Sequence, residues 1–286
     1  MISGEKSDKV AHLRPAPRII PRDEHIISRD SISSNALKVL YRLKNAGYQS
    51  YLVGGSVRDL LLGREPKDFD VATDARPEQI RELFRNCRLI GRRFRLAHIH
   101  FGPEIVEVST FRAPHHIEDG EGHVVGGRIV RDNVYGTIDD DVWRRDFTAN
   151  ALFYNIEDFT VVDYVGGVDD IRAGVIRLIG DPVQRYTEDA VRLLRAVRFA
   201  AKLGFRIHPD SERPIPRLVH LLKDIPSARL FEEVLKLFLG GCAVQTFEQL
   251  RRYGLFEALF PQTEAVLAEE KDGFPQTLVV RALQNT

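Results

Sequence analysis

The chain has 286 residues, 43% hydrophobic and 29% charged, with 41 Lys and Arg against 41 Asp and Glu. That length and apolar share mark a soluble globular chain of two or three compact units, each large enough for a core. A net charge of zero gives no overall field for nucleic acid, so any basic surface has to be local.

Residues 1–30 are polar, carry Pro15, Pro17 and Pro21, and show no sustained period, which predicts an extended tail. The N-terminus lacks an apolar signal region and no 18-residue apolar run occurs, which speaks against secretion and membrane insertion. Cys87 and Cys242 lie far apart in no CxxC spacing; this fits a reducing cytoplasm and supports no zinc site. A helix is predicted from the Ser33/Ser34 caps through Leu37, Leu40, Tyr41 and Leu43 to a stop at Gly47.

The stretch YLVGGSVRDLLLGREPKDFDVAT, Tyr51 to Thr73, follows. Its order is a strand, a Gly54-Gly55 turn, a helix from about Ser56 carrying Arg58, and a second strand with Asp68 and Asp70. On that strand Asp68 and Asp70 share one face and Phe69 and Val71 the other. Two carboxylates so close repel unless a divalent cation or solvent lies between them. Gly54 and Gly55 let backbone approach a ligand, and the helix start and Arg58 add positive charge there. Each part alone is commonplace, a polar strand face or a turn. Their order suggests a triphosphate and its metal.

Pro77 starts a helix with Ile80, Leu83 and Phe84 on its apolar side. RLIGRRFRLAHIHF reads as a basic turn feeding a strand, and EIVEVSTF as a strong strand. Glu107 in its middle is either a third acid beside the aspartate pair or an edge-strand carboxylate in water. Pro114 to Val130 reads as a loop whose His115, His116 and His123 are solvated. DDDVWRRDFTANALFYN follows helical spacing, with Asp139 to Asp141 at its start, Asp146 and Asn150 on one face and Arg145 beside them. Strands near Thr160 to Tyr164 and Val175 to Leu178 close the first unit, and Gly180-Asp181-Pro182 marks a boundary.

RYTEDAVRLLRAVRFAAKLGF reads as one helix, capped by Thr187 and stopped at Gly204, with Leu193, Leu194, Val197 and Ala201 buried. Asp189 and Arg192 share a face, followed by Arg195 and Arg198; the plain reading is a surface ion pair. As a base reader, a carboxylate accepting from an exocyclic amine beside a guanidinium donating to a ring nitrogen admits adenine and cytosine and rejects guanine and uracil. Basic residues outnumber acidic ones from Pro182 to about Arg229, which suits RNA phosphates or simply a solvated face. Amphipathic helices fill the remainder.

GG-x-VRD-x-LLG before DFD, RRDFTANAL, and EDAVR together resemble the class II tRNA nucleotidyltransferase and bacterial poly(A) polymerase family, of the polymerase-β-like nucleotidyltransferases, over roughly Pro21 to Phe260. The resemblance implies an α+β fold: a nucleotidyltransferase head with a small mixed sheet over 33–180, preceded by the tail 1–32. An all-helical neck over 181–240 and the start of a helical body over 241–286 would follow. It implies template-independent addition of AMP from ATP to RNA 3′ ends with release of pyrophosphate, by a monomer. Two Mg²⁺ ions would be held by Asp68 and Asp70 with Asp146 or Glu107. Gly54, Gly55 and Arg58 would cradle the triphosphate, Arg145 and Asn150 the ribose, and Asp189 and Arg192 the base, with Arg195 and Arg198 alongside. CRLIGRRFRLAHIHFGPEIVEVSTFR and RDNVYGTIDDDVWRRDFTANALFYN resemble the poly(A) branch more than the CCA-adding branch, which uses CTP and ATP. Bacterial members of that branch run on into a longer body and a basic tail, so a chain stopping at Thr286 is expected to be a fragment or to grip primer less well. A metal-dependent glycosyltransferase would need neither RRDFTANAL nor EDAVR, and a silent RNA-binding module would need neither aspartate. Walker A, G-x-G-x-x-G and EF-hand patterns are absent from the sequence.

Overall fold

Alternating apolar residues between Arg18 and Asp163 build one mixed eight-stranded sheet, seen in a computed structural model that describes residues 14–91, 95–113, 124–125, 128–129, 134–269 and 274–285. The strands are β1 (Arg18–Ile20), β2 (Ser50–Val53), β3 (Asp70–Thr73), β4 (Cys87–Ile90), β5 (Leu96–Phe101) and β6 (Glu104–Thr110). After the short pair β7 (Val124–Val125) and β8 (Arg128–Ile129) come β9 (Leu152–Asn155) and β10 (Val161–Asp163). Their order across the sheet is β1-β10-β9-β2-β3-β6-β5-β4, and β3–β6 is its single parallel pairing. The period of two splits β2, β3, β9 and β10 between two cores. Leu52, Val71, Val106, Val108, Leu152 and Tyr154 enter the larger one, against α1 (Ser34–Asn45) and α3 (Pro77–Leu83). Val53, Ala72, Phe153 and Val162 enter a smaller one on the opposite face, with Val142 of α4 (Ile138–Arg144). Helix α2 (Gly55–Leu61) leaves the end of β2, and α5 (Gly167–Arg172) follows β10.

Helix α1 forms as its sequence predicts. Ser33 Oγ accepts from Ala36 N, Ala36, Val39, Leu40 and Leu43 are buried at helical spacing, and Gly47 takes φ 87° just past the end.

The second half is helical. It comprises α6 (Pro182–Glu188), α7 (Val191–Leu203), α8 (Pro209–Glu212), α9 (Ile215–Leu218), α10 (Ser227–Phe238), α11 (Ala243–Arg252), α12 (Leu255–Leu259), α13 (Pro261–Ala268) and α14 (Phe274–Gln284). Leu193, Leu194, Val197, Phe247 and Leu250 sit in its core, which Phe147 joins from the preceding segment. Among the described residues no helix is long and apolar enough to cross a membrane.

Several elements differ from the sequence expectation. Within the supposed tail, Arg18–Ile20 pairs with β10 as an edge strand and Ile20 and Ile27 are buried; two isolated isoleucines are too few to show a period. The helix expected from Asp139 past Asn150 ends at Arg144. A bend at Arg145 and Asp146, a 3₁₀ turn at Thr148–Asn150 and β9 follow, because Leu152–Asn155 gains ladder partners on both sides from β2 and β10. The single helix expected around EDAVR is two, broken at Asp189 (φ −153°, ψ 95°), whose Oδ1 accepts from Val191 N at 3.3 Å. Thr187 is no cap; it sits inside α6 and its Oγ1 donates to Val183 O. β11 (Val175–Ile176) pairs with β12 (Arg206–Ile207) in its own parallel ladder, apart from the large sheet. The loop histidines His115, His116 and His123 lie outside the described residues.

Gly167 starts α5 where the sheet and the 3₁₀ turn meet, and a Cβ there would lie 2.2 Å from Thr148 O and 3.1 Å from Leu152 Cδ2. Gly167→Ala is therefore expected to lower stability by about 3 kcal/mol, the upper range for overpacking. Urea melts check this, and a loss under about 0.5 kcal/mol would contradict the packing.

Candidate nucleotide and metal centre

Strand register assembles the acidic part of the site. Val53 lies opposite Asp70, Asp70 opposite Glu107, and Glu107 opposite His98, in one row across β2, β3, β6 and β5. All four side chains belong to the face that carries the smaller core, to which β2, β3, β9 and β10 contribute beside Val142 of α4. Asp68 precedes β3, which begins at Asp70, and is exposed, so the pair is one strand residue and one residue of the approach to it. Glu107 resolves its alternatives in an intermediate way. Its strand is internal, yet its side chain is 40% exposed and lies 3.2 Å from His98 Nε2. Burial pushes the Asp70 carboxyl up to about 6; the Glu107 and Asp68 charges add to this, and Arg145 and His98 oppose it. A cluster of hard oxygen donors fits a divalent cation such as Mg²⁺. Among the described residues no group of three or more His, Cys, Asp or Glu is already closed around a metal-sized space.

The Gly54-Gly55 turn leaves β2 directly beside Asp70. Gly54 has φ 74° and ψ −135°, a conformation that favours glycine, and a Cβ there would meet Arg145 Nη1 at 3.7 Å. Gly54→Ala is expected to cost about 1–2 kcal/mol of stability. It should also weaken nucleotide binding, measured by titration of ATP; unchanged affinity would argue against a close backbone approach.

Arg58 is not a free cation at the turn. It is 3% exposed, its Nε and Nη2 donate to Asp59 Oδ1 at 2.9 and 2.7 Å, and its Nη1 donates to Asn150 Oδ1 at 2.5 Å. Its guanidinium lies 5.5 Å from the Phe199 ring, which Arg195 and Arg198 also approach at 5.0 and 4.6 Å.

Arg145 is held by Asp141, with Nη2 donating at 2.8 Å and Nε at 3.1 Å, and stacks 4.8 Å from Phe153. Asp146 and Asn150, expected on one helix face, meet across a bend instead, where Asn150 Nδ2 donates to Asp146 Oδ1 at 3.4 Å. Asp146 Oδ1 also accepts from Phe147 N at 2.8 Å, and its Oδ2 takes Arg195 Nε and Nη2 at 2.6 and 2.5 Å. Burial raises the Asp146 carboxyl, but Arg195 outweighs it and holds the group below the usual carboxylate range. Of the two candidates for a third acid, Glu107 is the one set beside Asp70, while Asp146 is committed to Arg195.

Asp189 and Arg192 do not pair with each other. Asp189 Oδ2 accepts from Arg229 Nη2 at 2.8 Å, and Arg192 Nη1 donates to Arg185 O at 2.6 Å and to Glu188 Oε2 at 3.1 Å. Arg198 Nη2 lies 3.6 Å from Glu233 Oε2, and burial lowers the Arg198 guanidinium. Sequence reasoning missed His98, Asp141, Arg185, Glu188 and Arg229. The i,i+4 spacing of Asp141 and Arg145 and the i,i+3 spacing of Arg185 and Glu188 were readable signals; His98 and Arg229 meet their partners only through tertiary structure.

Residues 50–177 match the family model for the poly A polymerase head domain, and residues 204–267 that for the probable RNA and SrmB-binding site of polymerase A. The chain is 57% identical over 293 residues to poly(A) polymerase I of Salmonella typhi, covering 100% of this chain and 63% of that protein. It is 56% identical over 291 residues to poly(A) polymerase I of Escherichia coli O6:H1, with the same coverage of 100% and 63%. Among solved structures it is similar to the Bacillus stearothermophilus CCA-adding enzyme in complex with CTP, with TM-score 0.65 and 36% identity, over 77% of this chain and 52% of that one. The chain thus spans 63% of the length of these curated relatives.

Proposed function

The chain belongs to the family of class II tRNA nucleotidyltransferases and bacterial poly(A) polymerases, and from that premise we propose that it transfers AMP from ATP to RNA 3′ ends and releases pyrophosphate. The observation that carries this reading is the register of Val53, Asp70 and Glu107, which sets the Gly54-Gly55 turn and the acids side by side. Asp68, Asp70 and Glu107 would hold the metal. A divalent cation such as Mg²⁺ held by them would supply acidification of an RNA 3′-hydroxyl and charge compensation for the leaving pyrophosphate.

The other residues bind and orient. Gly54, whose own N–H is donated to Leu152 O at 3.3 Å, lets the backbone come close to the phosphates, and Gly55 presents its N–H to them. Arg145, fixed by Asp141, reaches the nucleotide from the bend after α4, and Asn150, fixed by Arg58, holds the ribose beside it. Arg58, Arg195 and Arg198 act as a supporting layer around Phe199 rather than as loose phosphate cations. Asp189 and Arg192 select the base: the carboxylate keeps acceptor capacity beside Arg229, and Arg192 is held by Nη1 against Glu188 and the Arg185 carbonyl. Residues 33–180 would form the catalytic unit and 181–240 the base-reading neck.

The higher identity to poly(A) polymerases, 57% against 36% for the CCA-adding structure, favours ATP alone over CTP and ATP. The test offers Mg²⁺ with each nucleoside triphosphate singly, and with CTP and ATP together, to oligo(A) and to a tRNA lacking its CCA end. Long extension of oligo(A) with ATP is expected. Addition limited to CCA on the tRNA moves the chain to the other branch, and incorporation on neither overturns the reading.

A further inference from the structure

Arg185 of α6 reaches two parts of the site at once. Its side chain is 13% exposed, and Nη2 donates to the carbonyl oxygens of Arg144 at 2.9 Å and Arg145 at 2.6 Å. These are carbonyls at the end of α4, where the helix itself supplies no partner. Ile179 N donates to the next carbonyl, that of Asp146, at 3.0 Å, so three successive carbonyls are held from the segment 179–185. Arg185 Nη1 donates to Glu188 Oε2 at 2.7 Å, the same oxygen that takes Arg192 Nη1 at 3.1 Å. Arg192 Nη1 also donates to the carbonyl of Arg185 itself, at 2.6 Å. Gly180, at φ 84°, lies against the stem: a Cβ there would make ordinary contact with Arg185 Cδ and Cγ at 3.7 and 3.8 Å.

We infer that Arg185 is a positioning residue that couples base reading to ribose placement, its one planar fork joining Glu188 and Arg192 to the carbonyls of Arg144 and Arg145. The inference rests on the roles proposed for Arg145 and Arg192. When Arg192 turns toward a base, its bonds to Glu188 and to the Arg185 carbonyl carry the change to Arg185, and through it to the bend that sets Arg145. A base that pairs well leaves Arg145 in place; one that draws Arg192 away moves it. Lysine cannot replace this fork, because a single ammonium lacks two donor arms at fixed spread. A merely structural Arg185 would, when lost, lower stability and slow all nucleotides alike.

The test measures kcat and KM for ATP and for GTP on oligo(A), with thermal melts, for the wild type, Arg185→Lys, Arg185→Met and Glu188→Gln. In the folded variants the ATP-to-GTP ratio of kcat/KM is expected to fall about tenfold or more, with KM for ATP raised, as sub-ångström misplacement of a binding group predicts. Arg185→Lys keeps the charge and Glu188→Gln keeps an acceptor, so either can be read if Arg185→Met does not fold. An unchanged ratio in folded Arg185→Lys and Glu188→Gln beside a discriminating wild type overturns the coupling alone. A wild type that does not prefer ATP to GTP overturns the base-reading assignment and the coupling with it.

Discussion

Asp70→Asn is expected to lower turnover at least about 10³-fold while making the metal-free protein more stable at pH 8. The two effects have one cause: a carboxylate kept among other carboxylates for a cation. In the fold, burial and the Glu107 charge raise the Asp70 carboxyl from 3.8 to about 6. A raised acid binds its proton more tightly when folded, so its contribution is fully present below about pH 3.8. It is lost as pH rises toward 6, and above that the ionised group costs stability. Removing the charge therefore yields about 1–3 kcal/mol at pH 8, a range discounted for partial solvation, and close to nothing at pH 3.5. Mg²⁺ should raise the melting temperature of the wild type and leave that of Asp70→Asn nearly unchanged. Near-normal turnover, or a variant less stable at pH 8, would contradict the assignment.

Asp146→Ala should act in the opposite direction. Arg195, 31% exposed, would be left without the carboxylate that it meets at 2.5 and 2.6 Å; breaking a fully buried pair on one side costs about 3–5 kcal/mol, and this part-buried one should cost about 2–3 kcal/mol. Because pairing with Arg195 overcomes burial and depresses the Asp146 carboxyl, its contribution is present above the unfolded value near 3.9. It is lost as pH falls through the folded value. The variant's deficit should accordingly be large at pH 7 and shrink in strong acid. Asp146→Asn keeps an acceptor for Phe147 N and should lose less. Adding Arg195→Met to Asp146→Ala should recover part of the loss, since no unpaired charge then remains buried. Guanidinium melts over pH 2–8 measure all three. A deficit under about 1 kcal/mol at pH 7 would show that the pair is of the weak, solvated kind.

What could be read from the sequence was local order. The cap at Ser33, the stop at Gly47, the Gly54-Gly55 turn and the α3 start at Pro77 each depend on a few adjacent residues, and each stands where expected. The strand Leu152–Asn155 was hidden because RRDFTANALF has helical spacing, and only pairing with β2 and β10 decides the matter. The break at Asp189 was hidden for a related reason: the apolar stripe of α7 continues the pattern of α6, while the Asp189 side chain restarts the helix locally. Site partners followed the same division. Asp70 and its neighbouring turn were legible as a motif, but the placement of Glu107 needed the parallel β3–β6 register, and the Asp146–Arg195 pair spans 49 positions. Shared spacing on a helix likewise suggested that Asp189 and Arg192 face each other as a pair, whereas in the fold they meet Arg229 and Glu188, from α10 and from the last residue of α6.

The carboxylates beside the Gly54-Gly55 turn are proposed to serve transfer of a nucleotidyl group to RNA. The most direct test supplies ATP labelled at the α-phosphate, Mg²⁺, and either an RNA ending in a 3′-hydroxyl or the same RNA ending in a 3′-deoxy nucleotide. Label entering the hydroxyl-ended RNA, with one pyrophosphate released for each AMP joined and none with the deoxy end, is the predicted result. Release of ADP and inorganic phosphate from both reactions, with no label in RNA, would contradict the claim.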